Sequence, residues 1–421
     1  MPGTREGAPA EHGFSRRALL LGGGAVAAGA VVGGGGEAYA QARVREAVAR
    51  ERAQADTANA LVTQTFHGVH QSGIEMTPQA HQTLVALDLH DDVDRAALRR
   101  MLPIISDDAA RLMAGRSALA DSEPELAIMP TGLTITVGFG RELIARVDPA
   151  LVPAWLAEQP RFAIDRLEDA WVGGDLVLQI AADDPLTVAH TRRMLLKDIR
   201  PFTTVRWEQA GFRRAWGSQR TGTTQRNLFG QVDGTVNPEP GGDDFRRVVW
   251  DGTTEDRNPA WLAGGTGFIV RRFRMLLDKW DLLDREGREE AVGRRLDTGA
   301  PLTGTAEYDE PDFDAVTPLG FPVIAEYAHM RRLRSPDTAQ RILRRTYNFE
   351  QAPRSADELS ESGLIFTAFQ HDVGTQYVPL QQRMSDLDLL NEWVEHIGMA
   401  VFAIPPGCDE GGYVGQTLLE G

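Results

Sequence analysis

The sequence predicts an α+β fold made of two ferredoxin-like βαββαβ units packed together, and three observations carry that expectation. Apolar runs of strand length recur along the body, runs with helical spacing fall between them, and the resulting order occurs twice. In the first half, Thr83–Leu89, Leu133–Phe139, Asp175–Ala181 and Thr203–Glu208 read as strands, with helices at Val93–Met113 and Pro185–Ile199. In the second half, Gly267–Phe273, Gln340–Asn348, Leu364–Gln370 and Met399–Ile404 read as strands. Helices are expected there from Leu276 to about Arg295 and over Leu380–His396, with larger insertions between elements. The repeat is one of pattern, without residue identity between the halves. Two such units can set their sheets face to face in one body. The expected division is 57–220 for the first unit and 221–421 for the second.

A chain of 421 residues, 42% hydrophobic and 25% charged, has ordinary globular composition and length for two cores. Its 60 acidic against 44 basic residues leave a formal charge of -16, which repels nucleic-acid phosphates and anionic membranes and excludes a nucleic-acid partner. Cys408 is the sole cysteine, so no internal disulfide and no cysteine metal cluster can form. Zinc-finger, iron–sulfur and thiol-redox functions are thereby removed.

The first forty residues read as a leader. A polar stretch ends in Ser15-Arg16-Arg17, Ala18–Val32 contains only Ala, Leu, Val and Gly, and Ala38-Tyr39-Ala40 forms a small-residue cleavage site. This is the pattern of a twin-arginine signal peptide, with cleavage expected after Ala40 and an extracellular, cell-envelope or periplasmic destination. The apolar run is short and Gly-rich for a membrane anchor. Residues 41–56 read as a charged, Ala-rich helix or linker.

Two loops concentrate residues suited to chemistry, since irregular segments on a rigid scaffold carry many functional groups. The first, Asn227–Gly242, holds Gly230, Asp233, Gly234, Thr235 and Asn237. Glycines around a lone Asp permit left-handed backbone and close approach to a flat ligand; an Asp-Gly pair is equally a surface turn. The second, Gly299–Arg345, holds His329 followed by Arg331, Arg332 and Arg334, then Arg341, Arg344 and Arg345. A lone histidine is either a metal ligand or a packed side chain. The arginines after it either neutralise an anionic ligand or form a solvated basic patch.

Taken in order, these segments resemble the dye-decolourising peroxidase family, in its exported deferrochelatase/peroxidase-like branch. The resemblance runs from Phe66–Ile74 with Thr77-Pro78, through Leu133–Gly140 and Gly174–Gln179, to Gly230–Gly234, which fits the family's Gly-x-x-Asp-Gly motif. It continues through His329, Ile342–Arg345, Gly363–Phe366 and Phe402–Gly407. The resemblance implies a dimeric α/β barrel type of body with one haem b per chain, held between the distal and proximal loops of the second half. It implies His329 as iron ligand, Asp233 and Arg344 as the distal catalytic pair, and Leu364 and Phe366 as the wall near the oxygen site. Gly234, Thr235, Arg331 and Arg334 would hold the porphyrin and its propionates. Asp388, with Asp386 as its competitor, would accept the ring N–H of His329. Thr346 stands where many relatives have Gly or Asn, which leaves the hydrogen bonding around the peroxide open.

The chemistry needs these residue types. A histidine whose second nitrogen donates to a carboxylate gains imidazolate character and pushes electron density onto iron. A carboxylate beside peroxide can move a proton between its oxygens while a guanidinium stabilises the developing negative charge. The implied function is a haem peroxidase that reduces hydrogen peroxide and oxidises dyes, phenols or other aromatic donors. Two alternatives stay open. One is a deferrochelatase reaction in the same pocket, with haem as substrate and the porphyrin left intact. The other, from the binding class, is an exported haem carrier, which would not need the Asp233–Arg344 pair. The twin-arginine translocase is the implied partner during export, and a homo-oligomer stays open. His67, His70, His81, His90, His190, His371 and His396 show no ligand spacing.

Overall fold

Asp94 and Asp184 each accept a hydrogen bond from the backbone N–H three residues on, and so start the two long helices of the first half. In the computed structural model these are α1 (Arg95–Met113) and α2 (Pro185–Ile199), and the residues described are 59–157, 161–251, 258–335 and 337–421 with Arg43 and Arg50. The expected leader and cleavage site lie outside the described residues, as does nearly all of 41–56. Four strands accompany the helices: β1 (His81–Leu89), β2 (Thr134–Phe139), β3 (Leu176–Ala182) and β4 (Thr203–Phe212). Their spatial order is β2-β3-β1-β4, all antiparallel.

The second half repeats this arrangement with β5 (Thr266–Met275), β6 (Leu343–Arg344), β7 (Tyr347–Gln351), β8 (Glu361–Gln370) and β9 (Val394–Ile404). Here the order is β9-β5-β8-β7, with β6 also paired to β8. Each half is therefore a ferredoxin-like sheet, as the sequence predicts. The two join edge to edge, β2 to β9 at Phe139–Ala403 and β4 to β7 at Phe212–Asn348, so the strands close into a barrel without free edges at the joins.

Three boundaries differ from expectation, each for a local reason. The expected strand Gln340–Asn348 is two strands, because the chain steps at Arg345–Thr346 from one pairing with β8 to another. The expected helix from Leu276 breaks into Leu277–Asp281 and α3 (Arg285–Val292), where Asp284 caps the second piece and Gly293, at φ 85°, ends it. The expected helix Leu380–His396 is shorter. Here α5 (Val378–Leu387), which follows α4 (His329–Leu333), stops at Asp388; its extended backbone and side chain start a new turn, and β9 already begins at Val394.

Strand alternation sorts the side chains. Leu84, Ala86, Val177, Trp207, Phe268, Val270, Ile365 and Phe402 form the cluster inside the barrel. Their neighbours Val85, Leu87, Leu178 and Ile180 face outward onto α1 and α2 through Met101, Ile105, Met194 and Ile199. On the outside of the second half, Phe273, Met275 and Leu364 pack with Phe229, Trp280 and Val292. That third cluster borders the candidate site. Among the described residues no helix is long and apolar enough to cross a membrane.

Candidate active site

Asp233 is presented by a tight local turn. Asn227 Oδ1 accepts the N–H groups of Phe229 and Gln231 at 3.1 and 3.2 Å, and Gly230 takes φ 80°. Arg226 then bridges Val232, and the Asp233 N–H donates to the Gln225 carbonyl at 2.9 Å. Gly234 follows at φ 128°, a conformation that a side chain would strain, so the chain can turn away immediately after the carboxylate.

Arg344 arrives from the other half of the site's sequence by sheet register. It pairs with Ala368 on β8, while Leu343 before it faces the barrel interior. Arg344 therefore projects to the outer side, the side of Leu364 and Phe366. Its Nη1 donates to Asp233 Oδ1 at 3.1 Å, with side chains 19% and 10% exposed. The backbone of Arg344 is clamped by Asn237, whose Oδ1 accepts its N–H at 3.0 Å and whose Nδ2 donates to its carbonyl at 2.7 Å. The adjacent Arg345 turns the opposite way, where it is buried and donates to Met76 O and Gln79 Oε1. Two neighbouring arginines thus do unrelated work.

His329 opens α4, which packs against α5. A backbone bond from Leu389 N–H to Tyr327 O at 3.0 Å and a reciprocal pair between Arg332 and Arg383 hold the two segments together. This brings His329 Nδ1 to 2.6 Å from Asp388 Oδ2. Asp388 is fully buried, whereas Asp386 is exposed and accepts from Gln382. A carboxylate only accepts, so Nδ1 carries the proton, and in the neutral ring Nε2 keeps its lone pair. Nε2 meets no hydrogen-bond partner among the described residues, and a quarter of the side chain stays accessible, at 25%. Burial would push the His329 pKa down, but the Asp388 carboxylate outweighs this and the net direction is up. Arg344 and Asp233 also act on that pKa, in opposite directions, so the two pairs share one electrostatic neighbourhood.

The remaining candidates divide. Leu364 is buried in the third apolar cluster, and Phe366 packs against it, 5.6 Å from Phe273 between ring centres. Thr235 donates to Glu307 Oε1 at 2.9 Å. Arg331 donates to the carbonyls of Phe313 and Ile324 at 3.0 and 2.9 Å and lies over the Phe313 ring, and Arg334 pairs with Glu310. In this structure both arginines tie the 303–326 loop to α4. Sequence reasoning missed Asn237 as a clamp, although it lies only four residues after Asp233 in the same loop. It also missed Arg294, which is buried and whose pKa is lowered first by burial and then by the nearby Arg344.

Fold and site together define an α+β barrel carrying a histidine–carboxylate pair and a carboxylate–guanidinium pair in one neighbourhood. Residues 71–213 match the family model "Dyp-type peroxidase, N-terminal" and residues 224–409 match "Dyp-type peroxidase, C-terminal". The chain belongs to the Dyp-type peroxidase family, and is a haem-dependent peroxidase. It is 38% identical over 363 residues to the dye-decolorizing peroxidase of Thermobifida fusca, covering 83% of this chain and 84% of that one. It is 34% identical over 376 residues to the deferrochelatase of Escherichia coli K12, covering 85% and 87% respectively. The crystal structure of a DyP-type peroxidase from Cellulomonas bogoriensis superposes with a TM-score of 0.83 at 49% identity, covering 86% of this chain and 99% of that one.

Proposed function

We propose that the chain reduces hydrogen peroxide at the expense of dyes, phenols or other aromatic donors, using a haem b held by His329 and an acid/base pair of Asp233 and Arg344. The observation that carries this is the pairing of His329 with Asp388 in the same neighbourhood as the Asp233–Arg344 pair. The donor set fits haem. Among the described residues no group of three or more His, Cys, Asp or Glu could hold a bare metal ion, so the free Nε2 of His329 suits a metal that brings its other ligands with it. When bound, the haem iron supplies the redox chemistry. The residues do the rest. Asp388 fixes the His329 tautomer and raises its basicity. Asp233 takes a proton from one peroxide oxygen and returns it to the departing one, while Arg344 stabilises the negative charge that develops between these steps. Leu364 and Phe366 would wall the pocket, and Gly234, Thr235, Arg331 and Arg334 would border the porphyrin.

The test is absorption spectroscopy of the purified protein before and after one equivalent of peroxide. A haem spectrum that changes within milliseconds in wild type and slowly in Asp233→Asn supports the reading. An equally fast change in both removes Asp233 from the mechanism.

A second activity is favoured by the relatives named deferrochelatase: release of iron from haem as substrate, with the porphyrin intact. Anaerobic incubation with haem would then yield free protoporphyrin fluorescence. Export through the twin-arginine pathway belongs to the same proposal and rests on Ser15-Arg16-Arg17 and Ala38-Tyr39-Ala40. Replacing Arg16 and Arg17 by lysine should retain the protein in the cytoplasm, and a protein still exported would end that reading.

A further inference from the structure

Asp233 is held at both carboxylate oxygens, and the donor to the second oxygen ends a directed chain of hydrogen bonds. Arg213 Nε donates to Gln225 Oε1, and Gln225 Nε2 donates to Thr346 Oγ1 and, at 3.0 Å, to the Thr346 carbonyl. Thr346 Oγ1 in turn lies 3.4 Å from Asp233 Oδ2.

Chemistry sets the direction of every link. A guanidinium only donates, so the oxygen of the Gln225 amide faces Arg213 and its nitrogen faces Thr346. That nitrogen also only donates, so the Thr346 hydroxyl accepts from it. Its single proton is left for Asp233. The last link is longer than the ~2.7–2.8 Å typical of a hydroxyl donor, a length that catalytic contacts often shorten when a ligand binds.

The two inner members of the array are shielded from solvent. Gln225 and Thr346 are 5% and 3% exposed, so water cannot replace either side chain cheaply. Arg213 lies 5.5 Å over the Tyr347 ring, and burial, the largest influence on it, lowers its pKa. Gln225 also receives the Asp233 N–H on its own carbonyl at 2.9 Å, so its backbone bonds Asp233 directly while its side chain reaches Asp233 through Thr346.

We propose that Arg213, Gln225 and Thr346 form a positioning array that holds Asp233 in one orientation, Oδ1 toward Arg344 and Oδ2 toward Thr346, for proton transfer with peroxide. This rests on the reading of Asp233 as proton shuttle. In this proposal all three act through Asp233.

The test uses the haem-loaded protein and the variants Gln225→Glu, Thr346→Val and Thr346→Ser, with Asp233→Asn beside them. Gln225→Glu keeps the shape but reverses the chain, since a carboxylate accepts from both Arg213 and Thr346 and turns the hydroxyl proton away from Asp233. Two quantities are read: the second-order rate with peroxide, and the affinity for cyanide, whose acid form must give up its proton on binding. Thr346→Val and Gln225→Glu should each lower both about tenfold, a fraction of the ~10²–10⁴ that a positioned base contributes, with haem content unchanged. Thr346→Ser should restore both. Wild-type values in Thr346→Val and Gln225→Glu, alongside losses in Asp233→Asn, would overturn the array while sparing the shuttle. If Asp233→Asn itself leaves both quantities unchanged, the shuttle reading falls and takes the array with it.

Discussion

His329 Nδ1 lies 2.6 Å from Asp388 Oδ2, while the other oxygen of Asp388 takes the N–H of Leu390 at 2.9 Å. A fully buried carboxylate engaged at both oxygens cannot rotate away from the ring. Asp388→Asn keeps the shape and can keep the Leu390 bond, but puts a neutral amide against the imidazole. The expected result is a raised iron reduction potential and a reaction with peroxide slowed about 10–100-fold, with haem retained. Spectroelectrochemical titration and stopped-flow mixing read the two effects. His329→Ala should fail to load haem at all. An unchanged potential in Asp388→Asn would mean that the carboxylate does not act through the ring.

Arg344 reaches Asp233 at 3.1 Å from a backbone fixed by Asn237. Arg344→Leu removes the fixed donor and leaves the proposed iron ligand untouched. Haem content should stay at the wild-type level while peroxide reduction falls about 10²–10³-fold, the usual loss when a preorganised donor to developing charge is removed. Full-speed reduction in this variant would move the charge-stabilising role elsewhere.

Strand and helix order was legible because apolar periodicity is local: α2 is found at the expected residues, and seven of the eight expected strand runs each overlap a single strand, while Gln340–Asn348 is split between β6 and β7. Barrel closure rests instead on Phe139–Ala403 and Phe212–Asn348, contacts 264 and 136 residues apart that leave no local pattern. The site residues lie 59 residues apart in His329–Asp388 and 111 apart in Asp233–Arg344. Only the resemblance to a family named those partners. Composition alone could not separate Arg344, which meets Asp233, from Arg345, which turns to Met76. Gln225 carried no signal, because an amide becomes informative only when its two neighbours are known.

Gly363 begins the stretch of β8 that carries Leu364 and Phe366. A Cβ there would sit 2.0 Å from the Phe273 carbonyl and 2.5 Å from the Phe349 ring. The first is backbone of a paired strand and cannot swing aside. Gly363→Ala should therefore destabilise by at least about 2 kcal/mol, toward the upper part of the range for overpacking, and should weaken haem retention as Leu364 and Phe366 shift. Thermal unfolding measures the first effect and gel filtration with haem the second. A variant as stable as wild type would show that β8 has slack which the packing denies.

Asp108 lies on α1, 4% exposed, with no donor to its Oδ2 among the described residues. Burial, reinforced by the neighbouring Asp198, raises its pKa to about 7. In the unfolded chain an aspartate titrates near ~3.9. Between those values the folded state binds more protons than the unfolded one, so stability is highest at low pH, as far as this group is concerned, and falls as pH rises through about 7. Asp108→Asn removes the ionisation and keeps an oxygen for the Leu119 N–H. The variant should match wild type near pH ~4 and exceed it above pH ~7 by a few degrees in Tm, at about 2–4 °C per kcal/mol for a large domain. Thermal unfolding followed across that range decides the matter, because a difference independent of pH would point to packing and not to the buried acid.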